Sequence, residues 1–98
     1  MLRRFKDARL ERLESDARYT AGFGPAVVSA FRKRMQMIRD AKDERDFYAL
    51  KSLHFERLKG DRVAQHSMRL NDQWRLILEF EEEGATKTVV VVAIEDYH

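Results

Sequence analysis

Three short segments of this 98-residue chain carry residue types that can do chemistry. The first is the terminal run Glu95-Asp96-Tyr97-His98. Histidine titrates near neutrality, so His98 can donate or accept a proton. The Tyr97 ring offers a face for stacking on a nucleic-acid base. Terminal segments ordinarily fray, but this one follows the most apolar stretch of the chain, which predicts that it is held in place. The second segment is Leu58-Lys59-Gly60-Asp61-Arg62. Gly60 frees the backbone, and Lys59 and Arg62 beside it suit a phosphate contact, although a basic turn before a strand is more often only a turn. The third is Gln73-Trp74-Arg75. Neighbouring strand residues point to opposite sides, so if Trp74 faces the helices Arg75 faces away. Arg69, between Met68 and Leu70, also points away from its apolar neighbours. Two arginines on one open sheet face are a place to bind a phosphodiester. The plain alternative is that Arg75 pairs with a nearby carboxylate, since charges on a half-exposed sheet are normal.

Other chemistries lose their support. There is no cysteine, which excludes disulfides and thiolate-rich metal sites. His54, His66 and His98 are too scattered to form a ligand set, and no glycine-rich phosphate loop or nucleophile elbow is present. No metal and no cofactor are expected. No apolar run approaches the roughly 20 residues needed to span a membrane. The basic start, Met1 to Lys6, lacks the apolar stretch of a signal peptide. The expectation is a soluble cytoplasmic protein with no membrane contact. The net charge of +2 hides an asymmetry: residues 1–75 hold 18 of the 19 Lys and Arg and 11 of the 17 Asp and Glu, a balance of +7, against −5 for residues 76–98. A basic excess made mostly of arginine raises the odds of a nucleic-acid partner.

These residues need elements to position them. A short strand is expected at Leu2 to Phe5 and a helix from Asp7 to Asp16, where Leu10, Leu13 and Ala17 recur at helical spacing. Pro25 suits the first turn of a second helix running to about Lys42, with Val27, Val28, Phe31, Met35 and Ile38 on one face. A short third helix is expected from Asp43 to Leu50, with Phe47 and Leu50 facing inward. The period then changes to two: Gln65 to Leu70 and Trp74 to Glu81 alternate, separated by the turn signal Asn71-Asp72. Glu82-Glu83-Gly84 supplies the next turn. Thr88 to Ile94 is almost continuously apolar, as expected of a central strand buried on both faces; either the chain's own loops or a partner must cover it. One domain over residues 1–98 fits this length. The fold class is α+β, a small twisted, mostly antiparallel sheet with the N-terminal helices packed on one face.

Taken in order, Leu58-Lys59-Gly60-Asp61-Arg62, Ser67 to Leu76 and the terminal Asp96-Tyr97-His98 resemble the HigB toxins of the RelE/ParE superfamily. The resemblance covers almost the whole chain in element order and length. It implies a RelE-like fold and a toxin of a type II toxin–antitoxin system. Such a toxin is a cytoplasmic endoribonuclease that enters the ribosomal A site and cuts messenger RNA, without metal, through the 2′-hydroxyl. It implies a HigA-type helix-turn-helix antitoxin as partner. Matched position by position, it assigns catalytic roles to Lys59, Arg75, Asp96, Tyr97 and His98; the basic residues Arg57, Arg62 and Arg69 are expected beside them as RNA contacts. One place departs from the pattern. Many HigB toxins carry His-Pro immediately before Leu-Lys-Gly, where this chain has Glu56-Arg57. His54 lies two residues earlier and would share a face with Glu56 in an extended chain, so His54 is carried as a catalytic candidate, with Glu56 as an alternative base and a site that uses neither as the third alternative. His66 falls where the family often has an aromatic residue, which implies packing. Two rival readings are a ParE-like gyrase inhibitor of the same fold, which needs no basic-plus-histidine constellation, and a non-catalytic module that binds RNA or antitoxin.

Overall fold

Side-chain alternation along the strands decides what this sheet buries and what it presents. The computed structural model describes residues 1–97. Its elements are β1 (Leu2–Phe5), α1 (Ala8–Ser15), α2 (Pro25–Asp40), α3 (Arg45–Tyr48), β2 (Glu56–Arg57), β3 (Gln65–Arg69), β4 (Trp74–Glu83) and β5 (Thr86–Asp96), with 3-10 turns at Lys51–Leu53 and Gly60–Arg62. The strands form one sheet in the order β1-β5-β4-β3-β2. β1 is parallel to β5 and the other pairings are antiparallel. The expected α+β class holds. β5 lies inside the sheet between β1 and β4, as expected of a central strand, and the two-residue edge strand β2 is an addition to the expected elements.

The helices begin and end where local chemistry satisfies their backbone. The Asp7 carboxylate accepts a hydrogen bond from the Arg9 backbone N–H at 2.9 Å, which caps α1 and sets negative charge at its positive end. Pro25 opens α2. The Arg32 guanidinium on α2 donates to the carbonyls of Leu13, Asp16 and Tyr19 at 3.0–3.2 Å, tying the end of α1 to α2. α3 is a single turn, shorter than expected. Phe47 is buried but Leu50 is exposed, because Leu50 falls beyond that turn in extended backbone (φ −101°, ψ 95°).

One sheet face carries the core. Met68 on β3, Leu76 and Leu78 on β4, and Val89 and Val91 on β5 pack under Leu10 and Leu13 of α1 and Phe31, Met35 and Ile38 of α2. Each such side chain contributes roughly 1.5–3 kcal/mol by leaving water. Trp74 meets Phe23 edge to face at 5.6 Å between ring centres, so it faces the helices as expected. The opposite face has no helix over it, yet Val90 and Ile77 are only 1% and 2% exposed. The chain covers them itself. Val90 lies in register between Arg4 and Glu79, and Arg4–Glu81 and Lys6–Glu79 ion pairs at 2.5 and 2.8 Å span this part of the sheet. Their aliphatic stems shield Val90 while their charges stay wet. Ile77 lies under the segment that carries Glu56, Leu58 and Arg62.

β5 contains one irregularity. Leu78 pairs with Val91 but Ile77 pairs with Ala93, which leaves Val92 as an extra residue. The bulge reverses the phase of the strand. Beyond it Ile94 packs on the core, and Ala93 and Glu95 take the open face beside Ile77 and Arg75.

Candidate active site on the open sheet face

The end of β5, the start of β4, and the segment running from β2 through the second 3-10 turn enclose a cleft of about 270 Å³. Its floor follows from register. Glu56 on β2 pairs with Ser67 on β3, and Ser67 with Ile77 on β4. Arg75, one pair further along, sits between Arg69 on β3 and Glu95 on β5. Glu56, Leu58, Arg62, Ser67, Arg75, Ile77, Glu95, Asp96 and Tyr97 line the space.

Arg75 is the centre of the site. Its Nε and Nη1 atoms are shielded from solvent and have no hydrogen-bond partner among the described residues. Leaving a buried donor unmet costs about 1–3 kcal/mol. The Arg75 side chain lines the cleft, so its positive charge is placed to attract an oxyanion bound there. Among the described residues no carboxylate pairs with Arg75: Glu95, directly across on β5, bonds Arg62 Nη2 at 2.9 Å instead. The Tyr97 ring lies 4.1 Å from the Arg75 guanidinium carbon. This cation–π contact fixes the plane of the fork. Tyr97 itself is 56% exposed, so part of its surface remains open to solvent.

Gln73 anchors the end of β5. Its carbonyl accepts from the Tyr97 backbone N–H at 2.6 Å, and its amide donates to the Asp96 carboxylate at 3.0 Å. The expectation that the end of the chain is held in place is met as far as Tyr97. His98 lies outside the described residues.

The remaining sequence candidates divide. Arg62 lines the cleft, with Nε donating to the Gln65 side-chain oxygen at 2.9 Å. Lys59 is exposed at the mouth of the 3-10 turn, next to Leu58 of the cleft wall, and has no ion-pair partner among the described residues. Gly60 has φ +69°, a left-handed geometry that favours glycine. Arg69 shares the sheet face of Arg75, as expected, but its guanidinium pairs with Asp72 in the adjoining turn and does not line the cleft. Arg57 pairs in register with His66, which turns it to the helix side of the sheet, and its Nε donates to the Val63 carbonyl at 2.7 Å. Arg57 therefore braces the 57–63 loop from behind.

His54 does not join these residues. It ends the first 3-10 turn in left-handed backbone (φ 46°, ψ 44°), which breaks the extended alternation that would carry it to the face of Glu56. Glu56 lines the cleft and His54 does not. His66 packs as expected, stacked on Phe55 at 5.1 Å and edge-on to Phe80 at 5.1 Å. Burial, helped by the positive charge of Arg57, pushes its pKa below the usual imidazole value. The residues that sequence reasoning assigned no role are Glu95, Ser67 and Gln73. Parity with Arg75 was the available signal for Glu95, and the bulge concealed it.

A larger groove, about 590 Å³, runs along the outer side of α2 from Thr20 to Gln36. Its charged walls are Arg32 and Lys33, and Arg32 is committed to the α1 carbonyls, so it offers no acid–base pair. Among the described residues no group of three or more His, Cys, Asp or Glu is placed to hold a metal ion, and no helix is long and apolar enough to cross a membrane.

Residues 3–98 match the family model for the RelE-like toxin of the type II toxin–antitoxin system HigB. No curated protein matches the chain. Among solved structures, a YoeB/ParE toxin from Agrobacterium tumefaciens is similar over 100% of both chains, with a TM-score of 0.65 and 17% identity. The toxin–antitoxin complex RelBE2 from Mycobacterium tuberculosis is similar over 97% of this chain and 95% of that one, with a TM-score of 0.50 and 17% identity. At such identities the likeness is one of fold.

Proposed function

Because the chain belongs to the RelE-like HigB toxin family of type II toxin–antitoxin systems, we propose that it is a ribosome-dependent endoribonuclease that cuts messenger RNA in the A site. The observation that carries the reading is Arg75, a positive charge lining a cleft that also holds carboxylates, a second arginine and an aromatic ring. The reaction is transesterification. The RNA 2′-hydroxyl loses its proton and attacks the adjacent phosphorus; the P–O5′ bond breaks, and the departing 5′-oxygen takes a proton. The products are a 2′,3′-cyclic phosphate, or the opened 3′-phosphate, and a 5′-hydroxyl.

Three demands follow: a base, positive charge for the phosphorane, and an acid. Arg75 stabilises the phosphorane, with Lys59 reaching in from the rim. Glu56, rather than His54, is the side chain on the cleft wall able to take the 2′-proton. His98 is the proposed acid, with Asp96 orienting it or sharing its work, and acid–base help of this kind is worth about 10²–10⁴-fold in rate. Tyr97 holds the Arg75 fork and stacks on a base. Arg62 contacts the RNA backbone inside the cleft. Arg57 and Arg69, turned to other partners, serve at most the outer path of the strand. In this reading the toxin works in the cytoplasm and is neutralised by a HigA-type helix-turn-helix antitoxin.

The test is growth arrest together with cleavage of ribosome-bound messenger RNA by Arg75→Ala, Glu56→Gln and a variant lacking His98. Loss in Arg75→Ala and in the His98 deletion is expected. Full activity in both would sink the assignment, and arrest of DNA supercoiling before translation would favour the gyrase-inhibitor reading.

A further inference from the structure

Glu95 has a role that the cleavage chemistry does not use. It projects from β5 onto the open face directly opposite Arg75, yet its carboxylate bonds Arg62 Nη2 at 2.9 Å. Arg62 is held at that point by a second bond, from Nε to the Gln65 side chain at 2.9 Å. Both members of the pair line the cleft and both are part-exposed, 44% and 39% at the side chain. Among the described residues, one arginine of the cleft thus has unmet donors while the other is already occupied by a carboxylate from the protein itself. A carboxylate and a phosphate present similar paired oxygens to a guanidinium.

Resting on the nuclease reading above, we propose that Glu95 is an internal substitute for an RNA phosphate. It keeps Arg62 in place in the free toxin, and a phosphate of the bound strand displaces it. Arg75 and Arg62 then hold two phosphates of one strand, so the site selects a polynucleotide over a single nucleotide. The exchange has a natural asymmetry. An exposed ion pair is worth little, so Glu95 yields readily, whereas a phosphate of the bound strand is held to the cleft by Arg75 as well.

The experiment measures affinity for a short 2′-O-methyl RNA, which cannot be cut, by fluorescence anisotropy over a range of salt. Four proteins are compared: the unaltered chain, Glu95→Gln, Arg62→Ala and the double variant. Glu95→Gln is expected to tighten binding about 2–5-fold, the equivalent of one exposed ion pair. Arg62→Ala weakens binding and lowers the salt slope by about 0.7, the contribution of one phosphate contact on a single strand. The double variant binds like Arg62→Ala, with the Glu95→Gln gain gone. Unchanged or weaker binding by Glu95→Gln overturns the proposal, as does a gain that survives without Arg62. Ribosome-dependent cleavage is read separately. If the affinities behave as expected but the unaltered chain cuts no message, the nuclease reading fails and the phosphate exchange stands; if the message is cut but Glu95→Gln changes nothing, only the exchange fails.

Discussion

Replacing Arg75 by methionine should make the protein more stable and less active at once. Methionine keeps the unbranched stem and removes the guanidinium. Two donors, Nε and Nη1, are shielded without partners, and at about 1–3 kcal/mol each they cost the folded state at least about 2 kcal/mol. The substitution also forfeits the cation–π contact with Tyr97, worth about 0.5–1 kcal/mol at an accessible site. The balance is a gain of at least about 1 kcal/mol, which for a domain of this size raises Tm by about 4–8 °C. The same substitution deletes the charge proposed to face the phosphorane, and losing one such group typically costs about 10²–10³ in kcat. Calorimetry or thermal circular dichroism reads the first effect and cleavage of ribosome-bound message the second. A lower Tm would refute the claim that the site stores instability in unmet donors. A stable variant with undiminished cleavage would refute the claim that this charge serves the reaction.

His66→Phe should flatten the acid limb of stability. Burial depresses the folded pKa of His66 below its unfolded value near 6.5, so its neutral form contributes stability that is present above pH 6.5 and lost as pH falls through the folded pKa; Tm of the variant against the unaltered chain from pH 7 to 5 checks this. Phenylalanine also removes the shielded, unpartnered Nδ1 while keeping the stack with Phe55, so no loss of stability is expected at pH 7. Ile94→Ala should cost about 2 kcal/mol in urea unfolding, because the bulge turns Ile94 onto the core. Ala93→Ser, on the other face, should cost less than about 0.5 kcal/mol, and the reverse order would show that the bulge is elsewhere. Gly60→Ala should destabilise by about 1–2 kcal/mol through its left-handed backbone alone, since a Cβ there meets nothing within 4 Å.

The open sheet face was legible where alternation was clean. Met68 and Leu70 bracket Arg69, and Trp74 and Leu76 bracket Arg75, so the period of two placed both arginines away from the helices, where they are found. The helices were legible from their apolar spacing and from Asp7 and Pro25 at their starts. Three features were not. β2 is two residues long, too short to show any period, and it forms because Glu56 and Arg57 find open pairing groups on the edge of β3. His54 looked equivalent to Glu56 because parity presumes an extended chain, and a single left-handed residue cancels that. Arg57, Arg62 and Arg69 looked alike as basic residues, but whether an arginine faces a ligand depends on which carbonyl or carboxylate already holds it.

The run Val89 to Ile94 is apolar at every position, so it carries no record of which residue faces which way, and only its charged end decides. Continued from Val89 and Val91 in the core, regular alternation would put Ala93 and Glu95 inside and Ile94 out. That arrangement buries a carboxylate and exposes an isoleucine, and an unpaired buried charge costs far more than any local irregularity. The strand avoids it by absorbing one residue at Val92, after which Ile94 returns to the core and Glu95 faces Arg75. Because the phase is reset before the strand ends, Tyr97, two residues beyond Glu95, lands on the same side and lies against the Arg75 fork. A one-residue change of register would send all three to the other face. The bulge is therefore part of the site: an apolar run indifferent to its own phase lets the polar end of the chain choose it, and the choice brings Glu95 and Tyr97 to the two arginines of the cleft.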